Sequence, residues 1–244
     1  MAPLRTNGNM APQLDSLVQL AFLAFIALFP VVNPIGTAFV VMPYFTRLSA
    51  EEKKAAVRRI TLYCFSVCVV SVLVGHWILG LFGLSIPVVQ LAGGIMICKM
   101  GWQHLSTDDS SGSAEGQPPK AAFNDYANVR AQLFYPLTFP LTTGAGTISV
   151  LFTLSAEGAG SSRDVHGNLA GYFMNMAAIL LAVVAMCALV YFFYLNTSSL
   201  VRSLGQEGAK IFDRLMAFLI FCVGLQIAVN GAKALFVAQS QIAR

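Results

Sequence analysis

No aspartate or glutamate lies deep inside any long apolar run of this chain, and between Asp15 and Arg47 there is no charged residue at all. Charged residues make up 11% of its 244 residues, against about 25% in a soluble domain. That excludes an ordinary soluble fold, and it excludes proton coupling through a buried carboxylate. Catalytic patterns are missing too: there is no Gly-x-Ser-x-Gly, no His-Glu-x-x-His and no phosphate-binding Walker loop. No nucleophile–base pair can be named, so the chain reads as a protein other than an enzyme. The cysteines (Cys64, Cys68, Cys98, Cys187, Cys222) form no Cys-x-x-Cys or Cys/His spacing, and all lie in apolar segments. They read as small hydrophobes, with no disulfide framework or metal site. Basic residues are few and not interleaved with aromatics, which leaves no footprint for nucleic acid.

What is present is apolar sequence, 57% of residues, with a mean hydropathy of +0.70. It falls into six segments, 17–45, 60–82, 86–105, 133–155, 169–195 and 215–236, each long enough to cross a bilayer. The first is too long for a signal peptide and lacks a small-x-small cleavage site, so it reads as a membrane helix. Residues 107–128, rich in Ser, Gly, Pro and acid, read as a flexible linker. The expected division is a first three-helix repeat over 1–105, a linker over 106–130 and a second repeat over 131–244.

The first, third and fifth loops hold ten of the 15 Lys and Arg (Arg47, Lys53, Lys54, Arg58, Arg59, Lys120, Arg130, Arg202, Lys210, Arg214). Arg5, Arg163, Lys233 and Arg244 fall on the other side, and Lys99 lies within a span. The positive-inside rule places the odd loops in the cytoplasm and both termini outside. Ser49 and Glu52 have capping-box spacing, so a helix should begin in the first loop.

Two of the six segments are interrupted. Phe29-Pro30-Val31-Val32-Asn33-Pro34-Ile35-Gly36-Thr37 returns 110 residues later as Phe139-Pro140-Leu141-Thr142-Thr143-Gly144-Ala145-Gly146-Thr147. Phe, Pro, Gly and Thr recur at the same offset, and Asn33 aligns with Thr143. Proline removes an N–H and crowds the preceding turn, so each helix should break. Asn33 and Thr143 are both suited to cap the half-helix that follows, and Pro34 suits its first position. Three spans per half is an odd number, so the halves must be inverted relative to one another. Matching interrupted helices in inverted repeats are a pointer to a transporter's substrate site.

The residues singled out for binding are Asn33, Pro34, Gly36, Thr37, Thr142, Thr143, Gly144, Gly146 and Thr147. Half-helix N-termini offer unpaired N–H groups and partial positive charge, which suit a carboxylate. Glycine permits close approach, and the hydroxyls and the Asn33 amide add neutral hydrogen-bonding groups. The set fits a small zwitterion and does not fit a large cation. His76, Lys99, Asn175 and Asn230 are secondary flags, His76 for proton relay and the asparagines for bonds between helices. Leu91 and Cys98 also echo Leu215 and Cys222 at an offset of 124.

Asn33-Pro34-Ile35-Gly36, Leu91-Ala92-Gly93-Gly94, Phe139-Pro140-Leu141 and Gly144-Ala145-Gly146-Thr147 together resemble the MarC family of bacterial inner-membrane proteins. The resemblance covers nearly the whole chain and implies six membrane helices with outward termini and transport of small neutral amino acids such as glycine and alanine. Two departures are visible: Gln90-Leu91 where the family commonly has Arg before Ala-Gly-Gly, and Thr143-Gly144-Ala145-Gly146 where it more often has Ala-Gly-Pro-Gly.

The resulting expectation is an all-α integral membrane protein of six helices in two inverted repeats, a secondary transporter with a small neutral amino acid at the midplane. It calls for no cofactor; the coupling ion, H⁺ or Na⁺, and association into homo-oligomers stay open. A passive small-solute channel and an accessory or scaffold membrane protein are the rival expectations.

Overall fold

The computed structural model describes residues 10–106, 126–160 and 169–242. Most of the expected linker therefore lies outside the described residues. The elements are α1 (Met10–Val32), α2 (Pro34–Phe45), α3 (Ala50–Leu81), α4 (Ile86–Ser106), α5 (Tyr126–Ala131), a wide-turned segment Leu133–Thr142, α6 (Ala145–Gly160), α7 (Leu169–Leu195) and α8 (Thr197–Ile242). The described residues contain no strand.

Both interruptions fall where the prolines dictate. Pro34 cannot donate to α1 and disfavours the α region for the residue before it. Asn33 accordingly turns to the left-handed region, φ 44° and ψ 61°, which Asn tolerates better than most side chains. Its N–H still closes α1 on Phe29 O at 2.9 Å, and its carbonyl opens α2 by accepting Thr37 N–H at 2.9 Å. In the wide-turned segment, Tyr135 (φ −120°, ψ 122°) and Phe139 (φ −119°, ψ 124°) each precede a proline and take the extended conformation. Backbone bonds there reach back five residues, Leu137 N–H to Gln132 O at 3.2 Å and Thr143 N–H to Thr138 O at 2.8 Å. The segment meets α6 at a bend of 62°. In α8 the helix turns at Gly205, φ 65° and ψ 178°, a conformation open to glycine.

By length and composition four stretches can cross a membrane: Asp15–Val32, Ala50–Gly75, Gly171–Leu195 and Lys210–Val237. Leu133–Thr142 with Ala145–Ser155 makes a fifth if the bent pair is one span. Side chains are distributed as lipid demands. Large apolar groups such as Trp77, Leu81, Phe22 and Phe218 point outward, while Asn33, Thr37, Gln90, Thr138, Thr142, Thr143 and Thr147 are buried. A soluble protein would not leave so much contiguous apolar surface outside.

The helix pairings of one half recur in the other with partners exchanged. α1 packs on α7 as the wide-turned segment packs on α3; α2 packs on α7 as α6 packs on α3; α2 meets α8 as α6 meets α4. α3 also packs on α7, and α4 runs antiparallel along α8. Leu91 faces Gly231, Gly94 faces Ala228, Cys98 faces Gly224 and Gly101 faces Phe221. A Cβ on Gly101, Gly224 or Gly231 would lie 2.6 Å from backbone of the other helix, so the seam is backbone against backbone, as small residues permit in membranes. Gly94 and Gly101 match Gly224 and Gly231 at an offset of 130; the seam follows this register rather than the 124-residue echo.

Two of the three basic loops meet. Ser49 accepts Glu52 N–H at 3.2 Å and Glu52 accepts Ser49 N–H at 2.9 Å, closing the capping box. Lys53 Nζ then donates to Thr197 Oγ1 at 2.8 Å, which puts the first and fifth loops at one end of the molecule.

Candidate functional site

Asn33 closes the first break with its own side chain. Its Oδ1 accepts Gly36 N–H at 3.1 Å, the cap expected from the sequence. Thr37 Oγ1 donates to Asn33 O at 2.9 Å. A Cβ on Gly36 would fall on the Asn33 amide, 2.8 Å from its Cγ. Gly36 therefore makes room for Asn33, and Pro34 occupies the first position of α2.

The second break is built differently. Thr138 Oγ1 donates to Leu133 O at 2.7 Å and Thr142 Oγ1 to Leu137 O at 2.6 Å, so both hydroxyls hold the wide turn. Thr143 does not make the expected cap. Its hydroxyl donates to Cys64 Sγ on α3 at 2.8 Å, and α6 begins at Ala145, which puts Gly144 and not Thr143 at the cap position. The first bond of α6 is Ile148 N–H to Gly144 O at 3.2 Å. Among the described residues, nothing caps the N–H groups of Ala145, Gly146 and Thr147. Thr147 Oγ1 is likewise buried with no partner.

Tyr194 of α7 brings the two breaks together. It is 0% exposed, and its hydroxyl lies 2.8 Å from Thr142 Oγ1. The Thr142 proton is directed at Leu137 O, so Tyr194 is the donor. The Thr37 hydroxyl stands beside it, and Phe45 of α2 packs edge-on at 6.3 Å. From the other side, a Cβ on Gly146 would lie 3.0 Å from Val31 Cγ1 and 3.3 Å from Met100 Sδ. Gly144 is close to Pro140, whose carbonyl would lie 2.9 Å from a Cβ.

All nine residues singled out from the sequence are buried, and the two breaks meet where Tyr194 lies between Thr142 and Thr37 and where Gly146 lies against Val31. Tyr194 escaped sequence reasoning; nothing in its local sequence separates it from Tyr191 three residues before. The secondary flags lie elsewhere. Lys99 is on an exposed face of α4, and Asn230 accepts from Gln226 Nε2 at 3.1 Å within α8, on an exposed face. The His76 side chain lies outside the described ones. Cys64 and Cys187 approach to 4.0 Å between their sulfurs, with Cys68 buried nearby. Among the described residues no group of three or more His, Cys, Asp or Glu could hold a metal ion.

Apolar outward faces, helices long enough to span and a buried polar centre at two helix breaks define a multi-pass integral membrane protein. Residues 18–236 match the family model described as MarC family integral membrane protein, and the chain belongs to that family. It is similar to the inner membrane protein MarC of Salmonella paratyphi A, 26% identical over 212 residues that cover 86% of this chain and 92% of the relative. The inner membrane proteins MarC of Citrobacter koseri and of Escherichia coli O1:K1 / APEC are also 26% identical, with the same shares covered. No solved structure matches.

Proposed function

We propose that this protein is a secondary transporter of small neutral amino acids in the bacterial inner membrane, with the substrate held where the two helix breaks meet. The observation that carries the reading is the meeting itself: Tyr194 donates to Thr142 beside one break and stands against Thr37 beside the other. Interrupted helices facing each other supply neutral hydroxyls and unpaired helix amides away from water, the chemistry a small zwitterion needs. The absence of a charged side chain at either break suits a solute with no net charge.

The exchanged helix pairings support two inverted repeats of three spans, α1–α2, α3 and α4 against the wide-turned segment with α6, α7 and α8. Both termini then lie on the periplasmic side, with the basic odd loops in the cytoplasm. The work is carrying, without a catalytic step or a cofactor, by rocking of one repeat against the other.

The test is counterflow in proteoliposomes preloaded with unlabelled glycine, alanine, serine or threonine and given the labelled solute outside. Transient accumulation is the expected result. Simple equilibration would assign a passive channel instead, and no flux of any neutral amino acid through folded protein would remove the transport reading.

A further inference from the structure

The two breaks are equivalent in sequence but not in what they leave unsatisfied. Thr37 and Thr147 share the 110-residue offset. Thr37 Oγ1 is tied to Asn33 O at 2.9 Å, and the Asn33 amide already occupies the first turn of α2, bonded to Gly36 N–H. An anion arriving there would have to displace a side chain that is part of the fold.

α6 has no such occupant. Its 16 residues begin at Ala145, and among the described residues the N–H groups of Ala145, Gly146 and Thr147 have no partner. Thr147, 1% exposed, adds a buried hydroxyl with no partner. It is the third residue of the helix, and helical Cα–Cβ bonds tilt toward the N-terminus, so this hydroxyl leans toward the free amides. A buried hydroxyl left unbonded destabilises the fold, a cost that a ligand accepting its proton would remove. The surroundings set the size. Val31 Cγ1 and Met100 Sδ stand 3.0 and 3.3 Å from where a Gly146 Cβ would be, with Ile97 Cγ1 at 3.7 Å. These contacts close the flank of Gly146 with apolar groups, against which a large substrate would clash.

We infer that the first turn of α6, the N–H groups of Ala145, Gly146 and Thr147 with Thr147 Oγ1, is a carboxylate site, and that the first break does not share the carboxylate. The inference rests on the proposed transport of amino acids for its substrate, and it adds which break binds and through which group. Both carboxylate oxygens accept from the amides and the hydroxyl, whereas a primary amide would turn its NH2 donors toward those donors and brings no negative charge, so it should bind far more weakly.

The experiment measures binding of labelled alanine to the purified full chain, with glycine, glycinamide and acetate as competitors. Glycine and acetate should compete and glycinamide should not. Thr147→Val keeps the shape and removes the hydroxyl; it should weaken alanine binding about tenfold, the effect of one charge-assisted hydrogen bond. Thr153→Val, which removes another buried unpartnered hydroxyl of the same helix, should leave affinity within twofold. Equal effects of the two substitutions, unchanged affinity in Thr147→Val, or competition by glycinamide as good as by glycine would overturn the site. Thermal unfolding in acetate separates this inference from the transport reading. If the protein binds no amino acid but acetate raises the unfolding temperature of the wild type and not of Thr147→Val, the site stands and the amino-acid reading falls. No acetate effect on the wild type in that case overturns both.

Discussion

The Tyr194 hydroxyl donates to Thr142 Oγ1 at 2.8 Å, while the Thr142 proton goes to Leu137 O at 2.6 Å. A bond from α7 is thereby chained onto the wide turn that precedes the second break. Thr37, at the start of α2, flanks the same hydroxyl. Tyr194→Phe removes one oxygen and keeps the ring against Phe45. Transport is expected to fall at least tenfold while the protein still inserts and elutes as a single species. Wild-type uptake rates in the purified variant would show that the hydroxyl is only structural.

Asn33 has two tasks that different substitutions separate. Alanine loses both the cap and the tolerance for a positive φ, so Asn33→Ala should cost about 1–2 kcal/mol. Glycine accepts φ 44° and is a fair cap residue, so Asn33→Gly should cost only a few tenths of a kcal/mol. Thermal unfolding in detergent reads the difference; equal losses would mean that the cap, and not the backbone, dominates.

At the seam between α4 and α8, a methyl group on Gly224 would meet Cys98 N at 2.6 Å and Gly94 O at 2.8 Å. Gly224→Ala should therefore destabilise by about 1–3 kcal/mol. Gly80→Ala is the contrast, since nothing lies within 4 Å of its would-be Cβ, and on helix propensity it should be neutral or gain up to about 1 kcal/mol. A seam glycine that tolerates alanine as readily as Gly80 does would contradict the close packing.

Lys53 bonds to Thr197, which fixes the first and fifth loops at one end of the molecule. Cysteines introduced at Lys54 and Arg202 should react with an impermeant maleimide from the same face of the membrane, and one at Ser85 from the opposite face. Labelling of Lys54 and Arg202 from opposite faces would break the pairing.

The places of the breaks were legible because proline acts locally: Pro34 and Pro140 restrict their own neighbours whatever surrounds them. The Asn33 cap and the Ser49/Glu52 box were legible for the same reason, each closing within three residues. The Thr143 cap was misjudged because α6 starts at Ala145, one residue later than the alignment with Asn33 implies, and the Thr143 bond to Cys64, 79 residues earlier in the chain, ends on another helix, which no local rule foresees. Tyr194 was invisible for that reason too. The echo built on Leu91 and Cys98 missed the true register of α4 and α8 because it compared side chains, whereas the register is set by the glycines at 94, 101, 224 and 231 that let the other backbone approach.

That glycine seam also limits how the halves can move. Where backbone lies against backbone, a small rotation about the shared line disturbs fewer contacts than a translation does. Separation would open a void along the whole length, and sliding would bring Cys98 or Phe221 into spaces shaped for glycine. For the proposed rocking of one half against the other, the line of α4 and α8 is the axle that these contacts offer.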